Sequence, residues 1–327
     1  MHNDVLEGVA RRFALGEIHV YRSLHGTRNR NYVFDTSSGG WFIRRRFSGY
    51  SDPERIAFDN AAHRFLHARG VPVVPPRMTA DGQSYWIDGD RVWQVFPFVS
   101  GTPMPEGDIA AVKAVAAAVG RFHTEGEMFP GRYEKLGPRG ETDPKEILDL
   151  ADRIGAESPA CARPLERYRE WVDVAGRALS DTDYAALPHT LVHGDLQPAN
   201  VVMAQVRVTA LVDLDWCAWR PRVYDLAFAI LFCCATHETP IRGEDIWSLT
   251  QPPRVEAHLV DAFLESYARG AVPLSMREVE ALRVQIVLSW CHSRVAGALK
   301  VAESARAAFL DREPAESSVL IPDCLRG

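Results

Sequence analysis

Leu191-Val192-His193-Gly194-Asp195-Leu196-Gln197-Pro198-Ala199-Asn200-Val201-Val202, with Ala210-Leu211-Val212-Asp213-Leu214-Asp215-Trp216 close behind it, is the stretch whose reading decides the fold. Each polar cluster is bracketed by apolar residues. Asp195 and Asn200 lie between Leu191-Val192 and Val201-Val202, and Asp213 and Asp215 sit in an apolar run that reads as the end of a buried strand. Carboxylates almost never enter a core unless they are paired or bind a metal. Three carboxylates and an amide so close together in the chain therefore call for an oxygen-seeking divalent cation. Mg²⁺ is the hard cation that suits carboxylate and amide ligands. The bland alternative is a chance cluster in a turn.

Spacing says more than composition. His193-x-Asp195-x-x-x-x-Asn200, then an apolar strand ending in Asp213, reproduces the catalytic loop and metal-binding Asp of protein-kinase-like phosphotransferases. The local form, His-Gly-Asp-Leu-Gln-Pro-Ala-Asn and then Val-Asp-Leu-Asp, resembles the aminoglycoside phosphotransferase and choline/homoserine-kinase-like family. True protein kinases read His-Arg-Asp in the loop, and their metal Asp begins Asp-Phe-Gly. The resemblance implies that Asp195 accepts the proton of a substrate hydroxyl and that Asn200 and Asp213 hold Mg²⁺ against the phosphates of ATP. It makes His193 the structural anchor of the loop. Asp215 is left open between a loop or helix-capping role and metal contact.

The remainder of the chain bounds this reading. It has 327 residues, 46% hydrophobic and 24% charged, which describes an ordinary globular protein of one large or two medium domains. A net charge of -6 and a pI near 6.0 argue against nucleic acid as a main partner. The six cysteines show no metal-ligand spacing, and Cys233-Cys234 fall in an apolar run, so buried free thiols in a reducing, cytoplasmic setting are expected. No apolar signal core opens the chain and no stretch approaches ~18 uninterrupted apolar residues, so no membrane partner is expected.

In chain order, Val5, Leu6, Val9 and Phe13 share one face of a short helix, and strands follow over 18–24, 31–35 and 41–46. The segment His25-Gly26-Thr27-Arg28-Asn29 joins the first two strands. The resemblance makes it the cover over the ATP phosphates, with Gly26, Thr27 and Asn29 as contacts; a plain hairpin turn is the alternative. Arg44, in Phe42-Ile43-Arg44-Arg45-Arg46, aligns with the family's phosphate-pairing basic residue, unless the run is only a solvated strand end. A helix over 52–68 has Asp52 as N-cap and Pro53 in its first turn. By the family pattern it carries the acid that pairs with Arg44: Asp59, or failing that Glu54. Two more strands, 83–87 and 91–95, lead into Gln94-Val95-Phe96-Pro97-Phe98, which matches the interlobe hinge. Adenine contacts are expected near Phe96 and Phe98, with packing of a strand exit as the alternative.

From Asp108 onward the pattern is helical, with His123 as a packing or capping residue. Residues 129–145 read as a loop beside the substrate, and helices follow near 145–155 and 160–180. Tyr224-Asp225-Leu226-Ala227 resembles the family's buried helix start, where the Asp caps the helix and binds the catalytic loop. His258, Glu265, Trp290, His292 and Arg294 are candidates for the pocket wall, each also readable as structural. Glu125, Glu127, Asp261 and Glu265 are the acids available to a cationic acceptor. The resemblance implies an α+β, protein-kinase-like two-lobe fold: an N-terminal nucleotide-binding lobe over 1–98 and a helical lobe with the catalytic loop over 99–327. It implies Mg²⁺- and ATP-dependent transfer of the γ-phosphoryl group to a hydroxyl of a small molecule. The strands Asn29-Arg30-Asn31-Tyr32-Val33 and Phe42-Ile43-Arg44-Arg45 lean toward the homoserine-kinase-like branch. A protein Ser/Thr kinase of the stress-response type and a non-catalytic ATP-binding pseudokinase are the rival readings.

Overall fold

The computed structural model describes residues 2–24, 29–133, 135–239, 241, 245–312, 320–321 and 325. An antiparallel sheet comes first, built of β1 (Ile18–Leu24), β2 (Arg30–Thr36), β3 (Gly39–Arg45), β4 (Trp86–Asp88) and β5 (Arg91–Pro97) in the order β1-β2-β3-β5-β4. Strand alternation sorts its side chains onto two faces. Tyr32, Phe34, Ile43, Trp93 and Val95 pack with Leu6, Val9 and Phe13 of the segment led by α1 (His2–Arg12), forming a small core of their own. Each such buried side chain contributes about 1.5–3 kcal/mol relative to exposure. The intervening residues Asn31, Phe42, Arg44 and Phe96 turn the other way and line the interlobe cleft.

The helix α2 (Pro53–Ala68) starts as the sequence predicts, with the Asp52 carboxylate accepting from Glu54 N at 2.8 Å and Pro53 in the first turn. Its residues Phe58, Ala62 and Leu66 join the main core, so α2 bridges sheet and helices. β4 is shorter and later than the expected 83–87. Thr79 and Gln83 close a turn on each other, Thr79 N donating to Gln83 O at 2.7 Å and Gln83 N to Thr79 Oγ1 at 2.9 Å, which holds the preceding residues out of the sheet.

Beyond the sheet the chain is mostly helical. The helices are α3 (Ile109–Gly126), α4 (Pro144–Glu157), α5 (Ala162–Ala178), the single-turn α6 (Asp181–Ala185), α7 (Val223–Cys233), the short α8 (Ile246–Leu249), α9 (Ala257–Tyr267), α10 (Met276–Ala298) and α11 (Arg306–Asp311). All of α7 is buried, as an apolar segment without a polar face must be. Two small antiparallel sheets carry the polar clusters: β6 (Thr102–Pro103) with β8 (Val201–Ala204) and β9 (Arg207–Leu211), and β7 (His189–Val192) with β10 (Ala218–Pro221). Leu211 N donates to Pro72 O at 2.6 Å, which ties the end of β9 to the Pro-rich strand after α2. Among the described residues no helix is long and apolar enough to cross a membrane, and Cys161, Cys217, Cys233, Cys234 and Cys291 are buried. Cys324 lies outside the described residues.

Candidate active site

The loop after β7 is shaped by a buried carboxylate. Asp225, in the first turn of α7, accepts from His193 N at 2.6 Å, from Gly194 N at 2.8 Å and from His123 Nε2 at 3.0 Å. Burial alone would raise its carboxyl, but the hydrogen bond and charge of His123 and the Gly194 N–H outweigh it and hold Asp225 below the usual carboxylate range. His123 is fastened in turn to Tyr267 Oη at 2.9 Å. Both residues therefore sit behind the loop, and Asp225 binds the loop backbone as the sequence predicts; it does not cap α7, whose N-cap is Arg222 with no side-chain cap bond. His193 Nε2 donates to Val212 O at 2.9 Å, leaving Nδ1 to accept from Asp195 N at 3.3 Å. One imidazole thus clips the catalytic loop to the residue before Asp213. Gly194 adopts φ +85°, in the left-handed region.

Asp195 stands at the end of this loop. Its carboxylate accepts from Gln197 Nε2 at 3.0 and 3.1 Å and from Asn200 Nδ2 at 2.9 Å. Burial and the neighbouring Asp213 charge push its carboxyl up to about 7, against the lowering effect of those two amides. Asn200 spends its amide nitrogen on Asp195, on the backbone O (2.8 Å) as well as the carboxylate, which leaves its amide oxygen as the free kind of donor for a cation. Asp213 has φ 66° and ψ 59°, a left-handed conformation that costs a non-glycine residue about 1–2 kcal/mol. That strain aims its carboxylate into the cleft, where its side chain keeps 34% exposure. Among the described residues no group of three His, Cys, Asp or Glu side chains is disposed to hold a metal. The available donors, one carboxylate and one amide oxygen, fit Mg²⁺, which takes one or two protein ligands and completes its shell from water and phosphate.

Two cavities meet here. One, of about 400 Å³, lies under the sheet and is walled by Phe42, Arg44, His63, Phe96, Phe98 and Leu211. The other, of about 230 Å³, lies on the helical side and is walled by Glu141, Trp216, Phe228, Phe232, His292 and Lys300, among others. Asn31, Asp195, Gln197, Asp213 and Leu249 line both, so the carboxylates stand at the junction of one continuous cleft. His63 is buried in the sheet-side wall, where burial and the Arg44 charge push it down to about 3, so it presents a neutral ring.

The Arg44–Asp59 pair does not form. Arg44 is buried in the cleft wall, and its Nη1 donates to Asp213 Oδ1 at 3.1 Å and Asp215 Oδ1 at 2.9 Å. Asp59 pairs instead with Arg46 Nη2 at 2.9 Å and with the ammonium of Lys135. Arg44 and Arg46, two apart on an extended chain, share a face, and Asp59 lies opposite the end of the strand, within reach of the second arginine only. Asp59 lines neither cavity, so its placement among direct nucleotide contacts is corrected; Glu54, the fallback, is exposed. Burial raises the Asp59 carboxyl and lowers the Lys135 ammonium, and each opposes the other's shift.

Gly26 and Thr27 lie outside the described residues. Asn29 donates to Asp215 Oδ2 at 2.7 Å, accepts from Phe47 N at 2.9 Å, and lines the helical-side cavity. Phe96 and Phe98 line the sheet-side cavity, whereas the Gln94 side chain is buried against Arg46 and Asn60 and lines neither cavity. Of the proposed pocket-wall residues His292 alone lines the cleft. Trp290 and Arg294 are core, the latter donating to Thr250 O and Phe309 O, while His258 and Glu265 are exposed. Glu125, Glu127 and Asp261 do not reach either cavity; the acid that does is Glu141, which accepts from Tyr224 Oη at 3.0 Å. Sequence reasoning missed Glu141 and Lys135 because both lie in the irregular 129–143 segment, which has no periodicity to read.

Comparison with known proteins agrees with this geometry. The profile of the APH phosphotransferase enzyme family matches residues 21–279. The homoserine kinase of Granulibacter bethesdensis is 26% identical over 234 residues, 71% of this chain and 70% of that one. That of Acidiphilium cryptum is 25% identical over 284 residues, 86% and 81% of the two chains. Among solved structures, spectinomycin phosphotransferase APH(9)-Ia in complex with ADP and spectinomycin superposes with a TM-score of 0.64 at 14% identity, covering 97% of this chain and 96% of that one. The kinase-like fold with its sheet lobe and helical remainder, the match across most of the chain and the Asp195 cleft converge: the protein belongs to the APH phosphotransferase family, whose members transfer phosphoryl groups to hydroxyl acceptors.

Proposed function

We propose that the chain transfers the γ-phosphoryl group of ATP to the hydroxyl of a small molecule, with Asp195 as the base, Asn200 and Asp213 as Mg²⁺ ligands, and Arg44 gripping phosphate oxygens. The single observation that carries this reading is Asp195 at the junction of two cavities, one for each substrate. Nucleotide enters on the sheet side, in the lobe we assign to residues 1–98, with its base between Phe42, Phe96 and Phe98. The acceptor enters from the lobe of residues 99–327. When bound with ATP, Mg²⁺ draws off the charge that builds on the phosphates during transfer. Gln197 and Asn200 hold the Asp195 carboxylate in one orientation, and Asp195 takes the hydroxyl proton as the new O–P bond forms and ADP departs. The acceptor cavity, about 230 Å³, is smaller than the ~300–1,000 Å³ usual for drug-sized ligands, which favours a compact alcohol over a multi-ring one.

ADP release should be Mg²⁺-dependent and should respond to compact alcohols in a panel of homoserine, choline, simple sugars, aminoglycosides and a casein-like protein. Turnover on the protein alone, or on none of the panel, would overturn the reading. The pH profile is a separate check. Asp195 must be ionised to accept a proton, and its carboxyl stands at about 7, so kcat/KM should fall as pH drops through that value. The limb in kcat should lie lower, because bound cation offsets the Asp213 charge that helps raise Asp195. A kcat/KM that stays flat from about pH 5 to pH 8 would contradict the assignment.

A further inference from the structure

Arg44 faces the nucleotide cavity, yet the acid of α2 that ought to orient it is occupied elsewhere. Asp59 is saturated by Arg46 and Lys135. What holds Arg44 comes from the other lobe. Asp215 Oδ1 accepts from Arg44 Nη1 at 2.9 Å, with Arg46 Nη1 at 3.4 Å, and Oδ2 accepts from Asn29 Nδ2 at 2.7 Å. The backbone O of the same residue accepts from Arg55 Nη2 at 2.8 Å and from Lys135 Nζ at 3.1 Å. Arg55 is itself held over the rings of Tyr50 and Trp216, at 4.4 and 5.2 Å from their centroids. One residue thus gathers the base of the phosphate loop, β3, α2 and the 131–143 loop.

Resting on the phosphotransferase reading above, we infer that Asp215 is the positioning carboxylate of the phosphate-gripping Arg44, supplied across the lobe interface, and that it does not ligate the metal. The division between the two acids is geometric. The Asp213 side chain is 34% exposed and open to the cleft, whereas that of Asp215 is 6% exposed with both oxygens engaged by guanidinium or amide donors. A divalent cation approaching Asp215 would have to displace two arginines. The consequence is that Arg44 is aimed only while the sheet is seated on the 214–216 turn, so seating of the lobes and orientation of the phosphate grip are one event.

The test is ADP binding by calorimetry on the full chain, in EDTA and in Mg²⁺. Asp215→Asn should weaken binding about tenfold in both media, the loss expected from one charge-assisted contact. Asp213→Asn should cost affinity chiefly in Mg²⁺. In an Arg44→Met background Asp215→Asn should add no further loss, because the carboxylate acts through that guanidinium. If Asp215→Asn matches wild type in EDTA and loses affinity only in Mg²⁺, or if its loss is additive with Arg44→Met, the inference is wrong. Should Asp215→Asn fail to fold, Asn29→Ala, which removes a single donor to the same carboxylate, carries the test. It should weaken ADP binding about threefold in EDTA, and unchanged affinity would overturn the inference. Wild-type protein that binds no ADP would sink the phosphotransferase reading itself, whereas wild-type binding with unaffected variants would sink only the role of Asp215.

Discussion

Asp195→Ala should lower turnover by about 10²–10⁴-fold while ADP still binds. The size follows from what is removed. Phosphoryl transfer leaves a protein little covalent chemistry to do, so most of the rate comes from placing the acceptor oxygen in line and taking its proton. The Asp195 carboxylate accepts from neutral amides, those of Gln197 and Asn200, whereas Asp213 and Asp215 both face the Arg44 guanidinium. The two amides orient the carboxylate and lower its basicity, but burial and the neighbouring Asp213 charge outweigh them. Nucleotide binding should survive because the sheet-side walls, Phe42, Arg44, Phe96 and Phe98, are untouched. Single-turnover kinetics with parallel calorimetry separates the two. Turnover near the wild-type rate, or loss of ADP binding equal to the loss of rate, would refute the role. Stability should move the other way. A carboxyl raised in the folded state is a charge the fold would sooner lose, so Asp195→Asn should raise the melting temperature more at pH 8 than at pH 5, where Asp195 is already protonated.

Gly194→Ala should be the most damaging change that leaves every charged group in place. At φ +85° a side chain is disfavoured by about 1–2 kcal/mol. A Cβ at this position would also lie 2.2 Å from Trp216 O and 2.6 Å from its carbonyl carbon. Backbone cannot swing aside as the end of a lysine can, so overpacking adds about 1–3 kcal/mol. The turn that must give way is the 214–216 turn, which carries Asp215 and follows Asp213. Expected together are a loss of roughly 2–5 kcal/mol in stability and a fall in kcat out of proportion to it, read by thermal melts and steady-state kinetics. Wild-type melting and turnover would mean that the two loops are not in contact. The same contact explains the local form of the motif. Where kinases of the His-Arg-Asp type place a long side chain, this chain has the backbone of the 214–216 turn, and only glycine fits.

The order of the motifs and the spacing of Asp195, Asn200 and Asp213 were legible in the amino-acid sequence, because they are chain-local, and the two-lobe architecture followed from the resemblance they carry. Alternation decides which face of β3 meets the core of Leu6, Val9 and Phe13. An interval of five residues keeps Asp195 and Asn200 within one loop, where the Asn200 amide reaches the Asp195 carboxylate. The Asp52 cap is equally local. Which acid answers which base was not legible. Arg44 and Asp215 are 171 residues apart, and Lys135 and Asp59 are 76 apart, and no periodicity links them. Their pairing depends on how the sheet settles against the 214–216 turn and on an irregular loop folding beneath α2, so only the packed molecule decides that the partner of the cleft-facing Arg44 comes from beyond the sheet. The same holds for Glu141, whose place in the wall of the helical-side cavity is set by Tyr224 on a distant helix.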